Sequence, residues 1–413
     1  MLAVLGNGVY ARLFGAQLIA LLGTGLLTVA LGLLAFDVAG GSAGVVLGTA
    51  MTIKMVAYVA VAPVIGALTA RVARKRLLIC ADVVRALIAL CLPLVGEAWQ
   101  IYVLIFLLQS ASATFTPAFQ AVIPSVLPDE RHYTRALSLS RLAYDLESLL
   151  SPVIAALLLT VTSYNDLFLG TVAGFAGSAL LVAATRFPTI APAGGSGFLD
   201  RVSRGAREFV ARRELRSLLA LDLVVASGTA MVVVNTVVLV RGDLDRSQPD
   251  VALLLAATGA GSMVVALAMP RLLDSVPDRF PMLAGATALP VALAAAAAVI
   301  AWGSGPAQWA GLLGLWFAAG AAASAVLTPS ARLLTRNSGP DTRAPVFAAQ
   351  FSLSHACFLL TYPAAGVIGA VHGLAAAAAA LAVVGTVGAV LAFGSWRMPL
   401  PTKPASRQRD TSG

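Results

Sequence analysis

Long apolar runs separated by short polar breaks set the pattern of this chain. One set of runs lies near 10–36, 43–68, 77–95, 99–123, 136–161 and 166–186. A second lies near 216–240, 250–270, 281–302, 307–330, 344–371 and 373–394. A helix rising ~1.5 Å per residue needs ~20 apolar residues to cross a bilayer core of ~30 Å. The pattern therefore predicts an all-α membrane protein with twelve transmembrane helices. No alternating apolar and polar segments of ~10 residues occur, which argues against a membrane barrel. The longest polar segment, 186–214, parts the two sets. It predicts an N-terminal six-helix half over 1–186, a linker over 187–215, a C-terminal six-helix half over 216–394 and a tail over 395–413. The linker opens with Pro188, Pro192 and a Gly-Gly-Ser-Gly run, a flexible composition. It then places Val202, Phe209, Val210 and Leu215 among six basic residues from Arg201 to Arg216. As a helix, that stretch is expected to lie on an anionic membrane face.

Composition agrees. The 413 residues are 59% hydrophobic and only 11% charged, against about 25% charged in soluble domains. The net charge of +9 would point to nucleic acid in a soluble chain. Its placement here points to topology instead. Arg12, the 71–76 cluster, the 129–135 loop, the linker, 271–279, 332–343 and the tail all fall on one side, while Arg241 and Arg246 fall in loops of the other. The positive-inside rule then sets both termini in the cytoplasm of a plasma-membrane protein, with lipid and not nucleic acid as its surroundings. Cys80, Cys91 and Cys357 sit in apolar runs and form no disulfide or ligand spacing. The first run has no basic leader and is expected to stay as a helix. Trp99, Trp302 and Trp309 fit an interfacial aromatic belt.

Ionisable residues inside spans are costly, so each is a candidate for function. Lys54 has about 11 span residues before it and 14 after, roughly 16 Å and 21 Å, so it cannot easily reach an interface. It needs a carboxylate partner, and Glu147, near mid-depth in the fifth span, is the first choice. Protonation of Glu147 would release Lys54, or a cation would displace it; the alternative is a static ion pair that fixes packing. Asp145 and Arg141 are four apart on one face and are expected to pair. Asp145 and Glu147 are ~200° apart and cannot both face one cavity. His355, mid-span in the eleventh run, is a candidate proton or metal group; a satisfied core histidine is the equal alternative. Cys357 lies round the helix from it, and Pro363 is a candidate hinge. Gln17, Thr24 and Thr28 share one face of the first span. With Asn235 and Gln350 they are candidate cavity polar groups. Asp222 is read as part of a cytoplasmic gate.

Two motifs carry a resemblance. Gly66, Arg71, Arg74 and Lys75 fall at the turn between spans two and three. Basic residues recur at the corresponding turn, 270–279, between spans eight and nine. This resembles the loop motif G-x-x-x-D-R-x-G-R-R/K of the major facilitator superfamily, with Ala70 in place of its aspartate and Ala73 in place of its second glycine. Asp82, near the start of span three, is expected to replace the missing carboxylate in that gating latch. Ser151, Pro152, Ala155 and Ala156 resemble the G-P-x-x-G-G packing motif of the superfamily's antiporters. The run from Thr116 to Arg141 is similar to drug/proton antiporters of the macrolide-efflux and siderophore-exporter branch. The stretches RALSLSRLAYDLE and FAAQFSLSHACFLLTYPAAG resemble nickel-resistance exporters.

The resemblance implies two halves rocking about a central site. No catalytic constellation or phosphate-binding glycine loop appears, so neither an enzyme nor an ATP-driven pump is expected. The expectation is a monomeric, cofactor-free secondary transporter exchanging protons for a small organic molecule. Efflux of a divalent metal such as nickel, or a non-transporting sensor on the same fold, are the alternatives. Glu147, His355 and Asp145 are few ligands for a metal.

Overall fold

The computed structural model describes residues 2–61, 72–127, 129–186, 207, 209–338 and 343–396. Among these the chain is helical throughout, without a strand. Helix α1 spans Gly8–Ala39, capped by Asn7, whose side chain accepts from Val9 N and Tyr10 N. Helix α2, Ala43–Val56, continues as a π-helical turn, Ala57–Val61. Then come α3 (Arg74–Cys91), α4 (Ala98–Val126), α5 (Glu130–Leu158) and α6 (Tyr164–Ala183). Helix α7, Arg213–Ala230, runs into two π-helical turns, Met231–Asn235 and Val238–Asp243. Helices α8 (Gln248–Ser275), α9 (Arg279–Trp302), α10 (Gly305–Arg336), α11 (Arg343–His372) and α12 (Leu374–Ser395) complete the chain.

Among the described residues ten stretches are long and apolar enough to cross a membrane, the first of which, Gly8–Ala60, joins α1 and α2. Helix α5 carries Arg141, Asp145 and Glu147 in its sequence. The charged 128–135 segment expected as a loop is helical from Glu130, capped by Asp129 on His132 N. Helices α4, α6 and α8 each begin with a capping box, Glu97/Gln100, Ser163/Asp166 and Ser247/Asp250. Short turns join α4 to α5 and α5 to α6, so the boxes of α4 and α6 close the same end of the bundle. Each satisfies amide donors that would otherwise be stranded there. Pro363 lies within a continuous α11.

The packing repeats. Helix α1 packs on α5 and α6, α3 on α4 and α6, and α2 on α4. Six helices later the same relations recur: α7 on α11 and α12, α9 on α10 and α12, and α8 on α10. The most extensive contacts between the sets are α2 on α11 and α5 on α8. In a lipid environment apolar burial does not drive helices together, so close backbone approach through small residues must. A Cβ on Gly320 of α10 would fall 1.9 Å from the Thr258 carbonyl oxygen, and one on Gly261 of α8 1.9 Å from that of Phe317. Only glycine allows this crossing.

The first part of the amphipathic stretch expected on a membrane surface, 201–206 with Val202, and position 208 lie outside the described residues. Its visible end behaves differently from the expectation. Phe209 and Leu215 are fully buried in a core with Met282, Leu289 and Val346, while Val210 is exposed. Trp99 and Trp302 are exposed, whereas Trp309 stacks under Arg246, 4.1 Å from its guanidinium carbon.

Candidate functional site

Helices α1, α5, α7, α8, α9 and α10 enclose a cavity of about 250 Å³. Its wall is mostly apolar, with Val29, Val232, Val233, Leu255, Leu289 and Leu327. Five hydroxyls interrupt it: Thr28, Thr229, Thr258, Ser262 and Ser324. Among the described lining residues Glu147 is the sole ionisable one. The Thr28 hydroxyl donates to Thr24 O at 3.0 Å, a helix-internal bond that leaves its oxygen free to accept from the cavity. Thr258 Oγ1 is buried without a partner. An unpaired hydroxyl and a carboxyl facing an apolar space are costly unless a ligand or water engages them.

Glu147 reaches the cavity because α5 presses on α1 at Gly25. A Cβ there would meet Ser151 at 2.2 Å and Glu147 Oε1 at 2.5 Å. Ser151, fully buried, donates to Leu22 O at 3.3 Å and holds the crossing. Pro152 lines the cavity, Ala155 is fully buried and Ala156 packs on the core. The small-residue stretch of α5 thus makes the close contact that brings the acid inward.

Lys54 is not in the cavity wall. It makes no ion pair within 4.0 Å among the described residues. Its ammonium lies 5.9 Å from the Tyr58 ring centroid, and its charge attracts Glu147 and repels a protonated His355. The two ends of the expected pair are coupled through space without touching. His355 sits at the α2–α11 seam, its ring centroid 5.4 Å from Tyr58 and 4.1 Å from Phe351. Its Nδ1 is 2.6 Å from Phe351 O and 3.4 Å from Ser354 Oγ. Those are the contacts of a satisfied core histidine.

The other candidates scatter. Gln17 is buried and accepts from Ser140 Oγ at 3.0 Å, joining α1 to α5. Thr24 donates to Ala20 O at 2.9 Å and does not line the cavity. Asn235, fully buried, donates to Ala365 O at 3.2 Å and links α7 to α11. Gln350 donates to Asp222 Oδ2 at 2.8 Å, also between α7 and α11. Of the turn motif, Gly66 and Arg71 lie outside the described residues. Arg74 begins α3, and Lys75 Nζ donates to Ala183 O at 2.6 Å, tying α3 to the end of α6. The side chains of Arg141 and Asp145 also lie outside them.

Asp82 is not at the turn. It is fully buried two turns into α3, paired with Arg85 and accepting from Ser178 of α6 at 2.7 Å. Arg85 in turn lies between the rings of Phe115 and Phe175, 4.4 Å from each centroid. Asp278, at the entry to α9, is the buried acid that lies at a helix end. Arg332 and Arg336 of α10 reach it at 3.4 Å and 3.1 Å. Sequence reading missed this ion pair, because the residues are more than 50 apart and only the helix pairing joins them.

Among the described residues no group of three or more His, Cys, Asp or Glu side chains could hold a metal ion.

The sequence model of the Major Facilitator Superfamily matches residues 13–289. Macrolide efflux protein A of Streptococcus pyogenes is 30% identical over 155 residues, 36% of this chain and 38% of that protein. The protein of the same name from Enterococcus faecalis is 29% identical over 154 residues, 35% of this chain and 47% of its own length. This chain therefore spans less than half the length of the curated relatives it matches. Among solved structures, a bacterial homolog of the human lysosomal transporter Spinster, inward-facing and unoccupied, superposes with a TM-score of 0.74. It has 13% identity and covers 94% of this chain and 96% of its own. The nucleoside transporter NupG follows with a TM-score of 0.71 and 13% identity, covering 95% and 100%. At these identities the likeness is one of fold.

Proposed function

We propose that this chain, which belongs to the Major Facilitator Superfamily, is a proton-coupled exporter of small organic molecules from the cytoplasm across the plasma membrane. In this reading the twelve helices all span, as two six-helix halves with both termini inside. The repeated packing and the two cross-contacts, α2 on α11 and α5 on α8, support rocking of one half against the other. The observation that carries the proposal is the cavity: an apolar wall, a ring of hydroxyls and one acid, Glu147, held where the two sets of helices meet.

The cavity chemistry favours an organic substrate over a metal. A divalent ion needs several oxygen, nitrogen or sulfur ligands, and the described residues of the wall offer one carboxyl. Drug-sized ligands occupy ~300–1,000 Å³, so a cavity of about 250 Å³ must widen as the halves separate. The names of the two efflux relatives make a macrolide the first substrate to try. Glu147 is the proton-exchange group in this reading. It holds a proton or faces a basic substrate, with the charge of Lys54 in electrostatic reach.

The test is uptake of labelled macrolide into everted membrane vesicles energised by a proton gradient. Wild-type vesicles accumulate it, collapse of the gradient abolishes the uptake, and Glu147→Gln removes the gradient dependence. Unchanged gradient-driven uptake in Glu147→Gln would remove the acid from the mechanism. Nickel uptake under the same gradient, with none of the macrolide, would favour the metal reading.

A further inference from the structure

Of the buried acids outside the cavity, Asp82 and Asp278 are paired with arginines, and Asp222 is not. Asp222 of α7 is 3% exposed, and Gln350 Nε2 of α11 donates to its Oδ2 at 2.8 Å. No lysine or arginine comes within 4.0 Å of it among the described residues. In the same pair, Gln350 Oε1 is buried and receives no hydrogen bond. An ionised Asp222 would leave both a buried charge without a counter-ion and an amide oxygen without a donor, and both are costly.

One proton answers both defects. A neutral carboxyl can donate its O–H to Gln350 Oε1 while its other oxygen accepts from Nε2, which closes an acid–amide ring. The proton comes from water, and the carboxylate is its only acceptor. A metal ion would answer the same orphan oxygen, but hard cations take about six oxygen ligands, and this pair supplies at most three.

Among the described residues the surroundings offer no substitute charge. On α11 Cys357 lies within electrostatic reach of Asp222. Helix α12, Leu374–Ser395, has no ionisable residue. Arg279 begins α9 beside Asp278, and Arg332 and Arg336 of α10 are engaged with Asp278. On α7 itself Arg216 and Arg213 precede Asp222 by roughly 9 Å and 13 Å of helix; Glu214 lies between them and accepts from Asn337. Gly228, the first cavity residue on α7, lies roughly 9 Å beyond in the other direction.

We infer that Asp222 and Gln350 form a proton-binding site between α7 and α11, separate from the cavity and from Glu147. With the proton on, the ring ties the two helices together. With it off, a buried charge faces the seam and favours separation or entry of water. A proton bound here therefore biases the α7–α11 contact independently of substrate.

The test needs no substrate and so stands or falls apart from the transport reading. Infrared spectra of the purified full chain in lipid nanodiscs are recorded from about pH 5 to about pH 9. Wild type and Glu147→Gln are expected to show a neutral carboxyl C=O band that is lost in Asp222→Asn. The Asn variant copies the shape and hydrogen bonds of the neutral acid and is expected to fold. An identical carbonyl band in Asp222→Asn overturns the inference. So does removal of the band by sodium at fixed pH, which marks a cation site. Failure of Asp222→Asn to fold also overturns it, because the ionised acid would then be the native form.

Discussion

The Asp82–Arg85 pair offers the clearest energetic test of the first six helices. Both residues are buried, Asp82 at 0% and Arg85 at 5% exposure. The guanidinium is fixed between Phe115 and Phe175 at 4.4 Å from each ring, a pair of contacts worth about 2 kcal/mol or more when desolvated. Asp82→Ala removes the counter-charge but not the rings, so Arg85 stays buried and unpaired. That costs about 3–5 kcal/mol, and the lost Ser178 bond adds about 1 kcal/mol. The single variant should therefore lose about 4–6 kcal/mol. Replacing both partners, Asp82→Leu with Arg85→Met, leaves no charge to compensate and should fall within about 2 kcal/mol of wild type. The assay is loss of the monodisperse peak in fluorescence-detected size exclusion after heating in detergent. A large fall in midpoint for the single change and a small one for the double is expected. A double variant as labile as the single, or a single change costing under about 1 kcal/mol, would refute the reasoning.

Three further outcomes follow from the packing. Gly320→Leu drives a side chain into the Thr258 carbonyl and should abolish the folded peak, whereas Gly314→Leu, with nothing within 4 Å of its Cβ, should leave it unchanged. Asp278→Ala leaves Arg332 and Arg336 without their shared acid, but both are more than half exposed. Its stability loss should stay near 1 kcal/mol, read by the same assay and reduced in high salt. Arg246→Ala, which uncovers Trp309 and removes one of the partners of Asp250, should cost roughly 1 kcal/mol and shift the tryptophan emission.

The helices were legible because a bilayer demands long apolar runs, and most of them follow those runs within a few residues; the end of the second run, 62–68, lies outside the described residues. The exceptions are the charged ends. The 128–135 segment reads as a loop but is helical from Glu130, since Asp129 caps it. Glu147 was legible from its cost in an apolar span, and Thr28 from its helix face. Gln17 and Thr24 share that face yet miss the cavity, because α5 covers it at Ser140 and Ser151. Asp82 and Arg85 are visible as a spacing of three, but their burial depends on Phe115, Phe175 and Ser178 from other helices. The turn resemblance cast Asp82 as a latch carboxylate, and its partners among the described residues are Arg85 and Ser178. Thr258, Ser262 and Ser324 carry no sequence signal, since hydroxyls in helices satisfy themselves on the preceding turn in most places.

Proton release on ligand binding tests the central claim most directly. Purified chain in weakly buffered detergent is mixed with a macrolide while a pH dye reports free protons and scintillation reports bound drug. Wild type should release protons in proportion to macrolide bound, and Glu147→Gln should bind without releasing them. Equal proton release from the variant, or binding to wild type with no release at all, would contradict exchange at Glu147.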